Sequence, residues 1–481
     1  MAYPAIRCAD DAVRDESGLY ANLFCLGGAA LAAFLIFRHL GGGSIDWFDE
    51  ALSGGRSLSF YHSHDPLRLT MNGELSLRKP PLVYMLNALS FAVFGINEFG
   101  LRFFNALFGF LTFLLIGLFA DRLCGRVYAA VAMLLLCGAS LFIDYCRMAL
   151  TDTAFIFGVV LASLAVARSL SSGHVTTAQR AAFAGGVFIA ACGKGLLVLI
   201  VPLYAVIFLG FGRRGVLARF VAPTLVGLLP LALWLLAELS TQPSFLHDFF
   251  GQEVYERLNP NSTYLPAQLH GYFWYLQKLW DWFGIAGHIG LVSAIAWVTV
   301  HIRSRATGRA VPVRAEVAYL AGFALFFTLM LSLSSHKREG YILPLFPVLC
   351  VVIAASLALL HARAHRARKV WRTYLGFVAL AIVVGDVRSL ITTREIPDYR
   401  PEAKQLALQL RAEGAALPAI VTDDEQIARV LHFYLDRTIT VVPAPVWDRV
   451  DESPALLISR QPRVQARRVG AYYLAGGRGN G

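Results

Sequence analysis

Six separated stretches of this 481-residue chain set acids and bases where they could handle an anionic substrate. The first is Asp46-Trp-Phe-Asp49-Glu50, which follows an apolar run and the glycines Gly41, Gly42 and Gly43. The second, Arg78-Lys79-Pro80-Pro81, leads into a shorter apolar run that contains Tyr84. The others are Arg147-Met-Ala-Leu-Thr-Asp152, Lys194 within Cys-Gly-Lys-Gly, Glu253 with Arg257 one helical turn later, and His336-Lys337-Arg338-Glu-Gly-Tyr341. A carboxylate beside an ammonium can serve an anionic substrate and a proton transfer. Singly, such charges are most often interfacial anchors or snorkelling cations. Gathered together, Lys79, Lys194, Arg257, Lys337 and Arg338 would make a strong site for a lipid-linked phosphate.

The elements that must position these residues are read from composition. Apolar residues make up 57% of the chain and charged residues 16%, against about 25% charged in ordinary globular proteins, and mean hydropathy is +0.56. Disorder, coiled coil and a soluble enzyme are excluded, and the expected class is a multi-span helical membrane protein. The apolar run 19–40 is long enough for a bilayer core of about 30 Å, and further apolar runs follow near 100–120, 127–143, 153–170, 181–193, 196–211, 216–238, 283–300, 316–333, 341–360 and 373–390. Eleven spans are therefore expected, the first an uncleaved anchor, with an interfacial or re-entrant helix from Pro81 to Gly95.

The charges orient the spans. With the N-terminus in the cytoplasm, the inner segments carry 18 Lys and Arg in 71 residues and the outer ones 10 in 102, which follows the positive-inside rule. The net charge of +11 then belongs to cytoplasmic loops, and a nucleic-acid partner is not needed. Residues 1–390 read as a transmembrane domain with outer loops at 41–80 and 240–282. The second loop is rich in aromatic residues suited to a membrane interface. Residues 391–481 alternate helix (Pro401 to Gly414, Gln426 to Leu435) with strand (419–422, Thr438 to Val442, 455–459), as a small outer α/β domain does.

The ordered set Asp49-Glu50, Arg78-Lys-Pro-Pro-Leu-Val-Tyr84, Phe94-Gly-Ile-Asn-Glu-Phe-Gly-Leu-Arg-Phe103, Arg147 to Asp152, Lys194-Gly195, Gln252-Glu253 with Arg257, and Lys337-Arg338 with Tyr341-Ile-Leu-Pro344 carries a resemblance. Over about residues 20–390 it resembles the ArnT-like branch of the GT-C membrane glycosyltransferases, relatives of the protein O-mannosyltransferases. The resemblance implies a GT-C fold, a polyprenyl-phosphate-linked sugar donor and an inverting transfer on the periplasmic face of a bacterial inner membrane. A lipid acceptor is implied, lipid A or another envelope glycolipid, with a protein or polysaccharide acceptor as the alternative. It also implies that Asp49, Glu50 and Asp152 are catalytic, and that Lys79, Arg78, Tyr84, Arg147, Lys194, Glu253, Arg257, Lys337, Arg338 and Tyr341 bind the donor.

The chain departs from ArnT at several positions. Leu52 and Ser53 stand where ArnT has Arg-Tyr, Arg78 where it has Glu before Lys-Pro, and Val254 where it has His after Glu. The resemblance thus leaves a divalent cation without its Glu-His ligand pair, and a divalent metal stays open, with no cofactor certain. A transporter of lipid-linked sugar, the competing class, would carry internal repeats, and none is found. The seven cysteines are scattered, and Asp423-Asp424-Glu425 reads as a loop and cap before the next helix.

Overall fold

A computed structural model describes residues 14–46, 48–76, 79–210, 212–241, 245, 249, 251, 255, 271–306, 314–334, 336–363, 368–392, 396, 398–412, 418–442, 455–460 and 467–476. The chain is a multi-span helical membrane protein with a small C-terminal sheet. It divides into two compact units, each continuous only in space.

One unit gathers Met1–Arg38, Phe108–Cys146 and Asp152–Arg394. It holds α1 (Arg14–Phe37), most of α4 (Glu98–Cys124), α5 (Arg126–Cys137), α6 (Ser140–Arg147) up to Cys146, α7 (Asp152–Ser172) and α8 (Thr177–Lys194). After a 3-10 turn at Gly195–Leu199 come α9 (Ile200–Gly210), α10 (Arg214–Thr241), α11 (Trp274–Ala306), α12 (Ala315–Ser332), α13 (Leu345–Arg363) and α14 (Arg368–Thr392). Only 22% of the apolar window of α10 is buried against 83% of that of α7. The first is a lipid-facing helix and the second is core.

Seven described helices are long and apolar enough to cross a membrane, or eight if the pair α5 and α6, bent by 74°, is one span. This criterion does not reach the expected eleven. The runs 181–193 and 196–211 fall on α8 and α9, which form one apolar stretch, Thr177–Gly210. Those at 283–300 and 373–390 fall on α11 and α14, which this test of length and apolarity does not count.

The other unit gathers His39–Leu107, Arg147–Thr151 and Glu395–Gly481. The segment 41–80, read from the sequence as a loop, contains α2 (Asp49–Ser63) and a hairpin of β1 (Thr70–Met71) and β2 (Glu74–Leu75). The short apolar run forms α3 (Leu82–Phe94), 13 residues long. The tail forms α15 (Pro401–Ala412), β3 (Ala419–Thr422), α16 (Glu425–Leu435), β4 (Thr440–Val441), β5 (Ala455–Ser459), β6 (Arg467–Val469) and β7 (Tyr472–Gly476). The sheet order is β4-β3-β5-β7-β6, with β3 parallel to both neighbours and β7 antiparallel to both of its own. Asp424 caps α16 by accepting the N–H groups of Gln426 (2.8 Å) and Ile427 (3.2 Å), the cap the sequence suggests.

Tail and first loop share one core, in which Leu406, Leu410, Ile427, Leu431 and Phe433 pack with Ile45, Ala51, Leu58 and Leu101. Polar ties reinforce it. Asn72 exchanges two hydrogen bonds of 2.7 Å with the backbone of Ile439, and His62 meets Asp436 at 2.8 Å. The hydroxyl of Tyr434 accepts the N–H of Ile45 (3.0 Å) and donates to Glu98 (2.9 Å).

Candidate functional site

In the first unit the site begins where α7 starts and α8 ends. The two helices are joined by a short turn and run antiparallel, which brings Asp152, the first residue of α7, to the same end as Lys194, the last of α8. Their backbones touch at two glycines. A Cβ on Gly158 would stand 2.5 Å from the carbonyl oxygen of Gly186, and one on Gly186 2.6 Å from that of Gly158, the small-residue packing of membrane helices. The residue types suit their ends, an acid at a helix N-terminus and a base at a C-terminus. Lys194 Nζ lies 2.9 Å from Asp152 Oδ2, and the two side chains remain 13% and 10% exposed.

The segment after α12 closes on this pair. Lys194 Nζ stands 4.9 Å from the centroid of the Tyr341 ring, a cation–π distance. A Cβ on Gly340 would come within 2.6 Å of Asp152 Oδ1, so only glycine lets this segment lie so near the acid. The hydroxyl of Tyr275 anchors the segment, donating to the carbonyl of Arg338 (3.0 Å) and lying 3.2 Å from its N–H. Lys337, 2% exposed, donates to the carbonyl of Ser334, and burial pulls its ammonium pKa below the ordinary value. Asp152, Lys194 and Tyr341, brought together here, come from three distant stretches of sequence.

In the second unit Asp49 opens α2. Its N–H and that of Phe48 donate to Asp46 Oδ2 at 2.9 and 3.0 Å, and its own carboxylate, partly exposed, forms no ion pair or hydrogen bond with a described residue. Burial of Asp46 raises its pKa above the usual carboxylate value despite those two N–H groups. Lys79 Nζ donates to the hydroxyl of Thr151 at 3.0 Å, and Thr151 immediately precedes Asp152 in the chain. Arg147 ends α6 and is 2% exposed. Tyr84, buried in α3, accepts a hydrogen bond of 2.8 Å from Arg56, whose guanidinium also grips Ser76 Oγ at 2.7 and 3.0 Å.

Glu50 differs from the residue expected beside Asp49 in the catalytic group. Its carboxylate is completely enclosed. It accepts from Arg102 Nε (2.8 Å) and Nη2 (2.9 Å), from the N–H of Ala149 (2.9 Å) and from that of Asp46 (3.1 Å). No acceptor position is left for a substrate. Burial works against the charge, but Arg102 and the two N–H groups outweigh it and hold the Glu50 pKa below the ordinary value.

Arg78, Glu253 and Arg257 lie outside the described residues. Among the described residues no three His, Cys, Asp or Glu side chains gather where they could share a metal ion. Three residues of these constellations escaped the sequence reading. Arg56 and Thr151 carried no signal beyond their neighbours, whereas Arg102 stood inside the quoted Phe94 to Phe103 stretch, where an arginine in an apolar run could have drawn notice.

Residues 55–212 match the family described as dolichyl-phosphate-mannose-protein mannosyltransferase. An undecaprenyl phosphate-alpha-4-amino-4-deoxy-L-arabinose arabinosyl transferase of Enterobacter sp. (strain 638) is 30% identical over 299 residues, 57% of this chain and 49% of that protein. Its namesake from Aeromonas salmonicida (strain A449) is 26% identical over 63% of this chain and 55% of its own. The chain thus spans about half the length of the curated arabinosyl transferases it matches.

In fold, the crystal structure of ArnT from Cupriavidus metallidurans bound to undecaprenyl phosphate matches with a TM-score of 0.71, covering 95% of this chain and 98% of that one at 17% identity. The archaeal oligosaccharyltransferase AglB from Archaeoglobus fulgidus matches with a TM-score of 0.58 at 12% identity, covering 89% of this chain and 65% of that one. These findings bear out the resemblance to the ArnT-like GT-C glycosyltransferases, and the fold is of that type.

Proposed function

We propose that the protein is an integral-membrane glycosyltransferase that moves a sugar from a polyprenyl-phosphate donor to lipid A or another envelope glycolipid. The observation that carries this reading is Lys194, an ammonium held by Asp152 and the Tyr341 ring yet still partly open. That is the right chemistry for a phosphate leaving group, whose developing charge preorganised cations stabilise. The ArnT-like fold and the undecaprenyl-phosphate arabinosyl transferase relatives support the same donor class.

In the transfer, an acceptor oxygen forms a bond to the anomeric carbon as the bond from that carbon to the phosphate oxygen breaks with inversion. The bonding pair leaves with the polyprenyl phosphate. Asp49, a carboxylate without a described partner, takes the proton of a hydroxyl acceptor or orients a phosphate acceptor. Asp152 holds Lys194, which neutralises the departing phosphate, and Lys79 is assigned to donor binding. Arg78, Arg147, Glu253, Arg257, Lys337, Arg338 and Tyr341 are assigned to donor binding, and Tyr84 to support of the Lys79 segment. The inner membrane is the proposed location, with residues 1–390 as the catalytic transmembrane domain, a cytoplasmic N-terminus, and the 41–80 and 240–282 loops and the 391–481 domain in the periplasm.

Mass spectrometry of lipid A and other envelope glycolipids, from cells with and without the gene, tests the reading. A sugar increment that disappears with the gene and returns with the wild-type chain, but not with Asp49→Asn, is expected. Identical glycolipids in all strains would overturn it.

A further inference from the structure

Helix α2 has to hold Asp49 still in its first turn, where the N–H groups lack intrahelical partners. Phe48, at the N-cap, offers no side-chain hydrogen bond. Besides Asp46, what fixes this turn is the ion pair of Glu50 with Arg102 from α4, both completely enclosed. Arg102 donates from Nε to Glu50 Oε1, from Nη2 to Glu50 Oε2 (2.9 Å) and the carbonyl of Ser44 (3.1 Å), and from Nη1 to the carbonyls of Leu40 (3.2 Å) and Gly42 (2.7 Å). Every N–H of the guanidinium is used.

Three stretches of chain meet on this pair. They are the glycine-rich turn 40–46, the first turn of α2 with Asp49, and the segment 147–151, whose Ala149 N–H donates to Glu50. That segment also carries Thr151, the partner of Lys79. A lysine in place of Arg102 keeps the charge but cannot reach five acceptors in a planar fork. Displacements of an ångström at a reacting group cost large factors in rate, so small errors here are amplified.

We infer that Arg102, acting through Glu50, is a positioning residue for the transfer: it sets where the Asp49 carboxylate and the Thr151 hydroxyl that holds Lys79 stand. The inference rests on the function proposed above and deepens it, for neither Arg102 nor Glu50 touches substrate. A pair that only stabilised the fold would change how much protein folds, not the turnover of each folded molecule.

The test uses full-length protein in proteoliposomes, with undecaprenyl-phosphate-linked 4-amino-4-deoxy-L-arabinose as donor and lipid A as acceptor. Arg102→Lys and Glu50→Gln are compared with the wild type for melting temperature, donor KM and kcat per folded molecule. A kcat loss of about 10-fold or more with KM within about twofold supports positioning. Unchanged kcat, whatever the melting temperature, overturns it. A double-mutant cycle with Asp49→Glu, which keeps a carboxylate at this position, sharpens the result, because residues that act as a unit are not additive. The combined loss should fall about 10-fold short of the product of the two single losses, and a full product overturns the inference. Should Arg102→Lys fail to insert, Glu50→Gln carries the same two measurements. If Asp49→Asn keeps wild-type transfer, the proposed function's site fails instead, and the two failures are told apart.

Discussion

Two ion pairs of the same charge type, one in each compact unit, are built for different work. Arg102 and Glu50 are completely enclosed and joined twice, and their remaining valences go to backbone groups. Lys194 and Asp152 meet at 2.9 Å and stay 13% and 10% exposed, with the Tyr341 ring beside the ammonium. Saturation distinguishes them. The first pair has nothing left to offer a ligand and can only fix the chain, whereas the second stays partly open, where a phosphate oxygen could approach. Charge alone, which is all a sequence reports, does not separate the two roles.

The largest expected effect is on stability. Glu50→Ala leaves Arg102 charged, buried and unpaired, which costs about 3–5 kcal/mol. Thermal unfolding in detergent should show it, and a loss below about 1 kcal/mol would erase the contrast between the pairs. Lys194→Ala should do the reverse: transfer falls about 10²–10³-fold, as when one preorganised donor is removed, while the melting temperature drops less than for Glu50→Ala. Comparable melting losses in both variants would break the distinction.

Gly340→Ala is a smaller perturbation. Its methyl group would arrive 2.6 Å from Asp152 Oδ1, and overpacking of this sort costs about 1–3 kcal/mol. Donor KM should rise more than melting temperature falls, and an unchanged KM would remove Gly340 from the site. The smallest effect is in pH. Glu50 has a depressed pKa, so its stabilisation is complete above the unfolded value of about 4.3 and is lost as pH falls through the lower folded value. Asp46, whose pKa is raised by burial, acts in the opposite sense and partly offsets it. Melting temperature should therefore be flat from pH 8 to about pH 5 and decline only in stronger acid. Glu50→Gln should flatten that decline.

Much of the fold was legible because it depends on local pattern. The tail strand 419–422, the helix ending at Leu435 and the strand 455–459 were read at or near their observed limits, since each is a short apolar run between turn residues. The strands Arg467–Val469 and Tyr472–Gly476 were not assigned from the sequence; their pairing with β5 and each other is non-local. The break between two apolar runs at Lys194-Gly195 is a 3-10 turn within one apolar stretch. In the site, Asp152, Lys194 and Tyr341 were singled out as charged or aromatic residues at helix junctions. The partnership of Glu50 with Arg102 was not, because 52 residues separate them and nothing in either neighbourhood says that one encloses the other.

The most direct measurement is sugar transfer by purified full-length protein, from polyprenyl-phosphate-linked sugar donors to lipid A or another envelope glycolipid, followed by mass spectrometry of the acceptor. The wild type is predicted to add one sugar increment, and Asp49→Asn and Lys194→Ala, folded to the same extent, to add none above about a hundredth of that rate. Wild-type rates in both variants would contradict the assignment of these residues to the reaction.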